Sequence, residues 1–280
     1  MKFEISVGSA DDVQRMASWA NDESWNPGNT DAHAFFTTDP GAFLIGRLDG
    51  EPQACISVVK YGAGFGFLGF YIARPPVRGK GYGIQLWRAG MARLAGRNVG
   101  LDGVVTQQGN YRKSGFRLAW NNIRHEGAPP AAKPPAGVTF VDARSVGFDR
   151  LAAYDRRFFP EARDSFLAAW ISLPERAARV ALRNGEIEGF AVMRACASAS
   201  RVGPLYGATP EIAAALVGDL ALKLGTTSVA IDVPDRNKAA VTLVEQIGLK
   251  PSFETARMYT GADPDVDYAG LFGVTSLELG

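Results

Sequence analysis

The sequence predicts an α/β (α+β) protein built as two tandem domains, each a mixed, twisted sheet flanked by helices. Three observations carry this. First, the stretch 127–137, preceded by Glu126, holds four prolines and almost nothing to bury. It reads as an extended, semi-rigid linker between residues 1–126 and 138–280. Second, the halves repeat each other: Asp49-Gly50 and Asn184-Gly185 each look like a hairpin turn feeding a buried strand. The spacing repeats too, with 25 positions from Gly50 to Pro75 and 25 from Gly185 to Pro210, then 40 from Pro75 to Gly115 against 38 from Pro210 to Gly248. Third, strand-like and helix-like apolar periods follow one another along the first half, which gives a mixed sheet with helices packed on it.

Within that half, residues 3–7 read as a strand and residues 10–20 as a helix opened by Ser9 as its cap. Residues 25–30 form an irregular loop and 31–37 a short helix. Successive strands cover 41–47, 53–61 and 65–72, the last two joined by the glycine-rich turn 61–64. Pro75 and Pro76 stop the third of these. A helix over 83–96 places Ile84, Trp87, Met91 and Leu94 on one face, and Val104 and Val105 read as a short strand.

Composition excludes several classes. The chain has 280 residues and a formal charge of +1, so no global field recruits nucleic acid or an anionic membrane. No apolar run approaches the roughly 20 residues needed to span a bilayer, and the acidic N-terminal region lacks the apolar core of a signal peptide. Cys55 and Cys196 stand far apart without metal-ligand spacing, which fits a reducing cytoplasm and no bound metal. His33 and His125 are isolated and read as ordinary surface or loop residues. A monomer or a homodimer is expected.

The segment that carries chemistry is Arg78-Gly79-Lys80-Gly81-Tyr82-Gly83, between a strand and an amphipathic helix. The first turn of a helix has N–H groups without partners and a dipole that favours negative charge. Glycines let a pyrophosphate approach the backbone, and Arg78 and Lys80 add positive charge beside it. A Rossmann fingerprint needs other glycine spacing directly after a first strand, and a P-loop needs Gly-Lys-Ser/Thr after a longer gap. A plain connecting turn is the alternative.

The pattern Arg-x-x-Gly-x-Gly at Arg78, Gly81 and Gly83 resembles the pyrophosphate loop of the GCN5-related N-acetyltransferase (GNAT) family. A second segment, Tyr111-Arg112-Lys113-Ser114-Gly115-Phe116, is similar to the family's Tyr-x-x-x-Gly-Phe ending. The family's asparagine, about seven residues before that tyrosine, is replaced by Val104, and the connection 106–109 is too short for the usual helix. The resemblance covers roughly residues 1–126. It implies acetyl-CoA as co-substrate and no metal, with the pantetheine arm on the backbone of Tyr71, Ile72 and Ala73 and the pyrophosphate on the amides of 79–83. It also implies Tyr111 as the acid that protonates the departing thiolate, against a packing role for its ring.

The second half resembles a degenerate copy, the C-terminal domain of a tandem acetyltransferase. Asn237 to Leu249 fits the closing motif with Val244 in the tyrosine's place, while Ala208-Thr209-Pro210-Glu211 has neither the arginine nor the glycines. One coenzyme site per chain is therefore expected. The implied reaction is direct attack of a primary amine, on a small molecule or peptide, upon the thioester. A non-catalytic acyl-CoA sensor is the alternative. Glu23 is the candidate base, beside Asp22 and Asp31, with Trp25 and Asn26 on the acceptor side. From the second half, Asp155, Arg163, Phe166, Trp170 and Asp232 are candidates for an acceptor pocket, with salt bridges and core packing as the competing explanation.

Overall fold

The computed structural model describes residues 2–280. The first half runs β1 (Phe3–Val7), α1 (Ala10–Asp22), α2 (Asp31–Thr38), β2 (Phe43–Leu48), β3 (Glu51–Tyr61), β4 (Phe65–Ala73), α3 (Tyr82–Arg93), β5 (Asn98–Val104), α4 (Gln108–Lys113) and β6 (Arg117–Gly127). The second runs β7 (Val138–Asp142), α5 (Phe148–Asp155), α6 (Asp164–Ser172), β8 (Arg176–Arg183), β9 (Glu186–Arg194), β10 (Ser200–Gly207), α7 (Pro210–Leu224), β11 (Val229–Pro234), α8 (Lys238–Gln246) and β12 (Lys250–Tyr259). The order of helices and strands is the same in both, and β13 (Leu271–Gly273) is an addition.

The linker divides the sequence, but it does not divide the sheet. All strands join one sheet in the order β1-β2-β3-β4-β5-β12-β6-β11-β10-β9-β8-β7, with β13 on β10. The last strand of each half is exchanged: β12 lies between β5 and β6, and β6 pairs β11 from Asn122↔Pro234 to Gly127↔Val229. Exchange covers two edges that separate domains would leave open. Residues 128–137 do not hang free either. The backbone at Pro130 and Ala132 lies against Gly218 of α7, and Arg183 donates to the Ala136 carbonyl at 3.0 Å.

Apolar alternation sorts the core into three clusters. One lies under α3 (Ile56, Leu86, Trp87, Met258) and one under α7 (Leu205, Leu216, Ile231). The third spans both halves on the opposite face, where Phe35 stacks on Trp170 at 5.8 Å and Tyr61 meets Phe159 edge-on at 4.8 Å. A shared aromatic core explains why the halves form one body.

Some local expectations change. Helix α1 is longer than read, and its start is a capping box: Ser9 Oγ accepts from the Asp12 N–H at 3.2 Å while Asp12 Oδ2 accepts from the Ser9 N–H at 3.0 Å. The strand read at Val104–105 is the end of β5, which begins at Asn98; glycines at 100 and 103 hid its pattern. Residues 106–109 lead into α4 through one turn of 3-10 helix. His33 is exposed, but His125 is buried in β6, 3% exposed, its Nδ1 3.1 Å from the Ile123 carbonyl.

Candidate active site

Strands β4 and β5 start as parallel neighbours, paired from Phe65↔Asn98 to Leu68↔Leu101, and then part. A bulge drives the divergence. Between Gly69↔Ser57 and Ile72↔Cys55, the β3–β4 register shifts, so Phe70 and Tyr71 oppose one residue. Phe70 sits at φ 45°, a strained position for a non-glycine. The gap opens into a cavity of about 1110 Å³, lined on one wall by Leu68 to Ala73 and on the other by Leu101 to Val104. That is slightly above the roughly 300–1,000 Å³ of small-molecule sites.

The glycine-rich segment lies at one mouth. Gly79 and Gly81 take φ of 73° and 82°, which other residues adopt at a cost, so they make the turn possible. Gly81 is the N-cap of α3 and offers no side chain to the first helical turn. Among the described residues, nothing accepts a hydrogen bond from the N–H groups of Gly79, Lys80 and Gly81. Arg78 and Lys80 are exposed. Arg78, Gly79, Gly81 and Gly83 line the cavity, as does Arg88; Tyr82 instead packs on Phe3 with ring centroids 4.7 Å apart. These amides and cations fit an anionic group such as a pyrophosphate.

Tyr111 reaches the cavity from α4. Its ring stacks on Trp87 at 5.7 Å and lies so close to Gly103 that a Cβ there would collide with it. Burial, aided by Tyr71 nearby, raises its phenol to about 12. At neutral pH it holds its proton, as an acid must. Burial raises Tyr71 as well. Tyr71, Ile72 and Ala73 all line the cavity, with the Ala73 carbonyl taken by Arg78 Nε at 2.7 Å.

The other expected site residues divide between the cavity and the buried contacts of the two halves. Glu23, the candidate base, lines the cavity, and its carboxylate is engaged by the Arg78 guanidinium. Trp25 lines the cavity too, and its carbonyl accepts from Arg124 at 2.9 Å. Asn26, Asp31, Trp170 and Asp232 do not line it; the structure removes all four from the acceptor side and places them in buried contacts that hold the halves together. Asn26 donates to the Ala199 carbonyl at 2.9 Å and accepts from the Ser198 N–H at 3.1 Å. Asp31 pairs with Arg194 and lies 3.4 Å from Arg176. Trp170 is fully buried beneath those two guanidiniums, 4.4 and 4.9 Å from its ring, and donates to the Gly203 carbonyl. Asp232 is clamped by Arg124 at 2.8 Å and by Arg201. Burial alone would raise its carboxyl, yet the two arginines outweigh burial and hold it well below the usual range. Asp155 and Arg163 form a buried pair at 2.8 Å, so the salt-bridge explanation holds for them, and Phe166 is core.

Sequence reasoning missed the wall opposite α3. Asp102 of β5, Phe253 and Thr255 of β12, and Leu277 and Glu278 beyond β13 line the same cavity. Their only sequence signal is Gly69, where a Cβ would strike the Glu278 carbonyl oxygen. Among the described residues, no group of three or more His, Cys, Asp or Glu is placed to hold a metal ion, and no helix is long and apolar enough to cross a membrane.

A sheet splayed beside an uncapped, glycine-turned helix start, repeated in a second half without those glycines, defines a tandem acyltransferase architecture. The comparisons agree. The pattern of the acetyltransferase (GNAT) family matches residues 10–116, and that of an acetyltransferase (GNAT) domain matches residues 151–273. A protein of Pseudoalteromonas sp. (strain SANK 73390), named holothin acyltransferase, is 31% identical over 274 residues, 97% of this chain and 92% of the relative. The crystal structure of a putative acetyltransferase from Pyrococcus horikoshii superposes with TM-score 0.82 at 20% identity, covering 99% of this chain and 96% of that one. A tandem GNAT protein from the clavulanic acid biosynthesis pathway superposes with TM-score 0.66 at 14% identity, covering 94% and 100%. The chain belongs to the GNAT acyltransferase family, with two GNAT domains in tandem.

Proposed function

We propose that the first half transfers an acetyl group from acetyl-CoA to a primary amine, by direct attack on the thioester, in the gap between β4 and β5. The observation that carries this is the open gap itself: among the described residues, no strand pairs with the backbone of Gly69 to Ala73 on its β5 side, so an extended amide-bearing chain can pair with it. In this reading the amides of 79–83 hold the pyrophosphate, with Arg78 and Lys80 as counter-charges. Glu23 holds Arg78 in place. A backbone N–H near Ile72 stabilises the developing oxyanion, and Tyr111 protonates the leaving sulfur. The half-site 138–280 completes the sheet and takes no coenzyme. The acceptor is a small molecule or peptide; the related protein's name, holothin acyltransferase, supports a small molecule.

Two measurements test this. Acetyl-CoA must raise the melting temperature, because a ligand specific to the native state stabilises it. Free thiol must then appear when amines from a panel are added. Stabilisation without thiol release from any amine would leave a coenzyme-binding protein and remove the transferase reading.

A further inference from the structure

On the wall of the cavity opposite α3, two buried polar atoms find no hydrogen-bond partner among the described residues: Thr255 Oγ1 and Glu278 Oε2. Both residues line the cavity, at 3% and 2% exposure, and both come from the second half of the chain. A buried acceptor left without a donor costs free energy, and a carboxylate oxygen costs most.

Glu278 is firmly placed. Its segment leaves β13 and crosses to β4, where Gly69 makes room for its backbone and Ser57 Oγ donates to its carbonyl at 3.4 Å. The next residue is tied down by Tyr61, whose hydroxyl donates to the Leu279 carbonyl at 2.9 Å. The other carboxylate oxygen, Oε1, accepts from Arg201 Nη1 at 3.1 Å. Around it stand Arg201 of β10, Asp232 of β11 and Arg124 of β6, with Asp102 of β5 neutralised by Arg257 of β12 at 2.6 Å. Arg201 thus reaches both Asp232 and Glu278, and Oε2 of Glu278 is left without a hydrogen-bond partner among the described residues. Trp25 and Phe253 provide aromatic surface on the same wall.

We infer that Glu278, with Thr255 lining the same cavity, forms the acceptor subsite of this active site and serves as its base. The ligand is a small primary amine carried on an apolar or aromatic body. The inference rests on the acyl transfer proposed above. The bound ammonium gives one proton to Glu278 and gains a free electron pair on nitrogen. The C–N bond forms as the C–S bond breaks. Tyr111 gives its proton to the sulfur and recovers one from the nitrogen, and Glu278 later releases its proton to solvent.

The experiment uses the full chain as wild type, Glu278→Gln, Glu278→Asp and Thr255→Val. Acetyl-CoA affinity is read by calorimetry, and thiol release is followed against benzylamine, phenethylamine and aliphatic amines from pH 6 to 9. All variants should keep acetyl-CoA affinity within about threefold. Glu278→Gln should lower kcat/KM for the amine roughly 10²–10³-fold, as loss of a general base does. Glu278→Asp should recover part of the rate, and Thr255→Val should raise KM several-fold with kcat nearly unchanged. If Glu278→Gln turns over within threefold of wild type, Oε2 is merely satisfied by water and the inference is overturned. Should the glutamine variant unfold, the aspartate variant decides: an unchanged kcat/KM and pH profile overturn the proposal, and a loss of tenfold or more at constant acetyl-CoA affinity supports it. A wild type that releases no thiol overturns the transferase reading itself, a failure seen before any variant is measured.

Discussion

The gap between β4 and β5 and the gap between β10 and β11 are built the same way and end differently. In the first half, parallel pairing stops at Leu68↔Leu101 and the strands part around a cavity. In the second, pairing stops at Val202↔Ile231 after the same divergence, but β13 enters the space. Leu205 and Tyr206 pair with Gly273 and Leu271, and the Val274 N–H donates to the Asp232 carbonyl at 3.0 Å. The helix starts differ in the same sense. Helix α7 is closed by its own sequence, with Thr209 Oγ1 accepting from the Ile212 N–H, Pro210 in the first turn and Glu211 beside it. Helix α3 begins on Gly81 with no side-chain cap. Backbone groups inside a fold must be paired. The second half pairs them with its own chain, and the first leaves them without partners among the described residues.

Several outcomes would sharpen or break that contrast. The largest is expected at Tyr111. Tyr111→Phe should lower kcat by about 10²–10⁴ while leaving acetyl-CoA affinity unchanged. Because burial raises this phenol to about 12, wild-type kcat should show no alkaline loss through pH 9; a limb near pH 8 that vanishes in the Phe variant would contradict that environment. The same shift has a stability consequence. The folded phenol keeps its proton where the unfolded one, near 10, has lost it, so this contribution is intact below about pH 10 and fades as the pH climbs toward 12.

Next comes Arg78→Ala, which removes a charge beside the free amides. It should weaken acetyl-CoA binding by about 1.5–3 kcal/mol, or roughly 10- to 150-fold, with little change in kcat. An unchanged affinity by calorimetry would move the pyrophosphate away from this mouth. Gly69→Ala should destabilise the protein by about 1–3 kcal/mol, because the added methyl meets the Glu278 backbone. Thermal unfolding reads the loss, and a neutral result would mean the segment 274–280 gives way. The smallest effect is the one that tests the filled gap. Glu211→Arg with Thr209→Gly restores charge and freedom at the α7 start, yet calorimetric stoichiometry should stay at one acetyl-CoA per chain. A second equivalent would show that charge, not β13, closes that gap.

Much of the architecture was legible in sequence because it is local. Strand alternation, the Ser9 cap and the glycine turn at 79–81 are written within a few residues of where they act. The repeat of spacing from Gly50 and from Gly185 announced two copies of one plan. The site was legible only in part, and the reason is distance along the chain. Asp232 and Trp170 look like pocket residues when read alone; Arg124 and Arg201 claim the first, and the shared aromatic core claims the second. Glu278 shows no motif at all.

By itself, then, the sequence determined two α/β halves, the glycine-rich loop at Arg78 to Gly83 and its absence from the second half, because glycine, proline and apolar period act on their immediate neighbours. Only the tertiary structure decided that the halves exchange β6 and β12, that β13 fills one gap, and that Thr255 and Glu278 line the other. Those outcomes depend on which buried backbone and charged groups find partners across roughly a hundred or more residues, and no local pattern encodes such pairings.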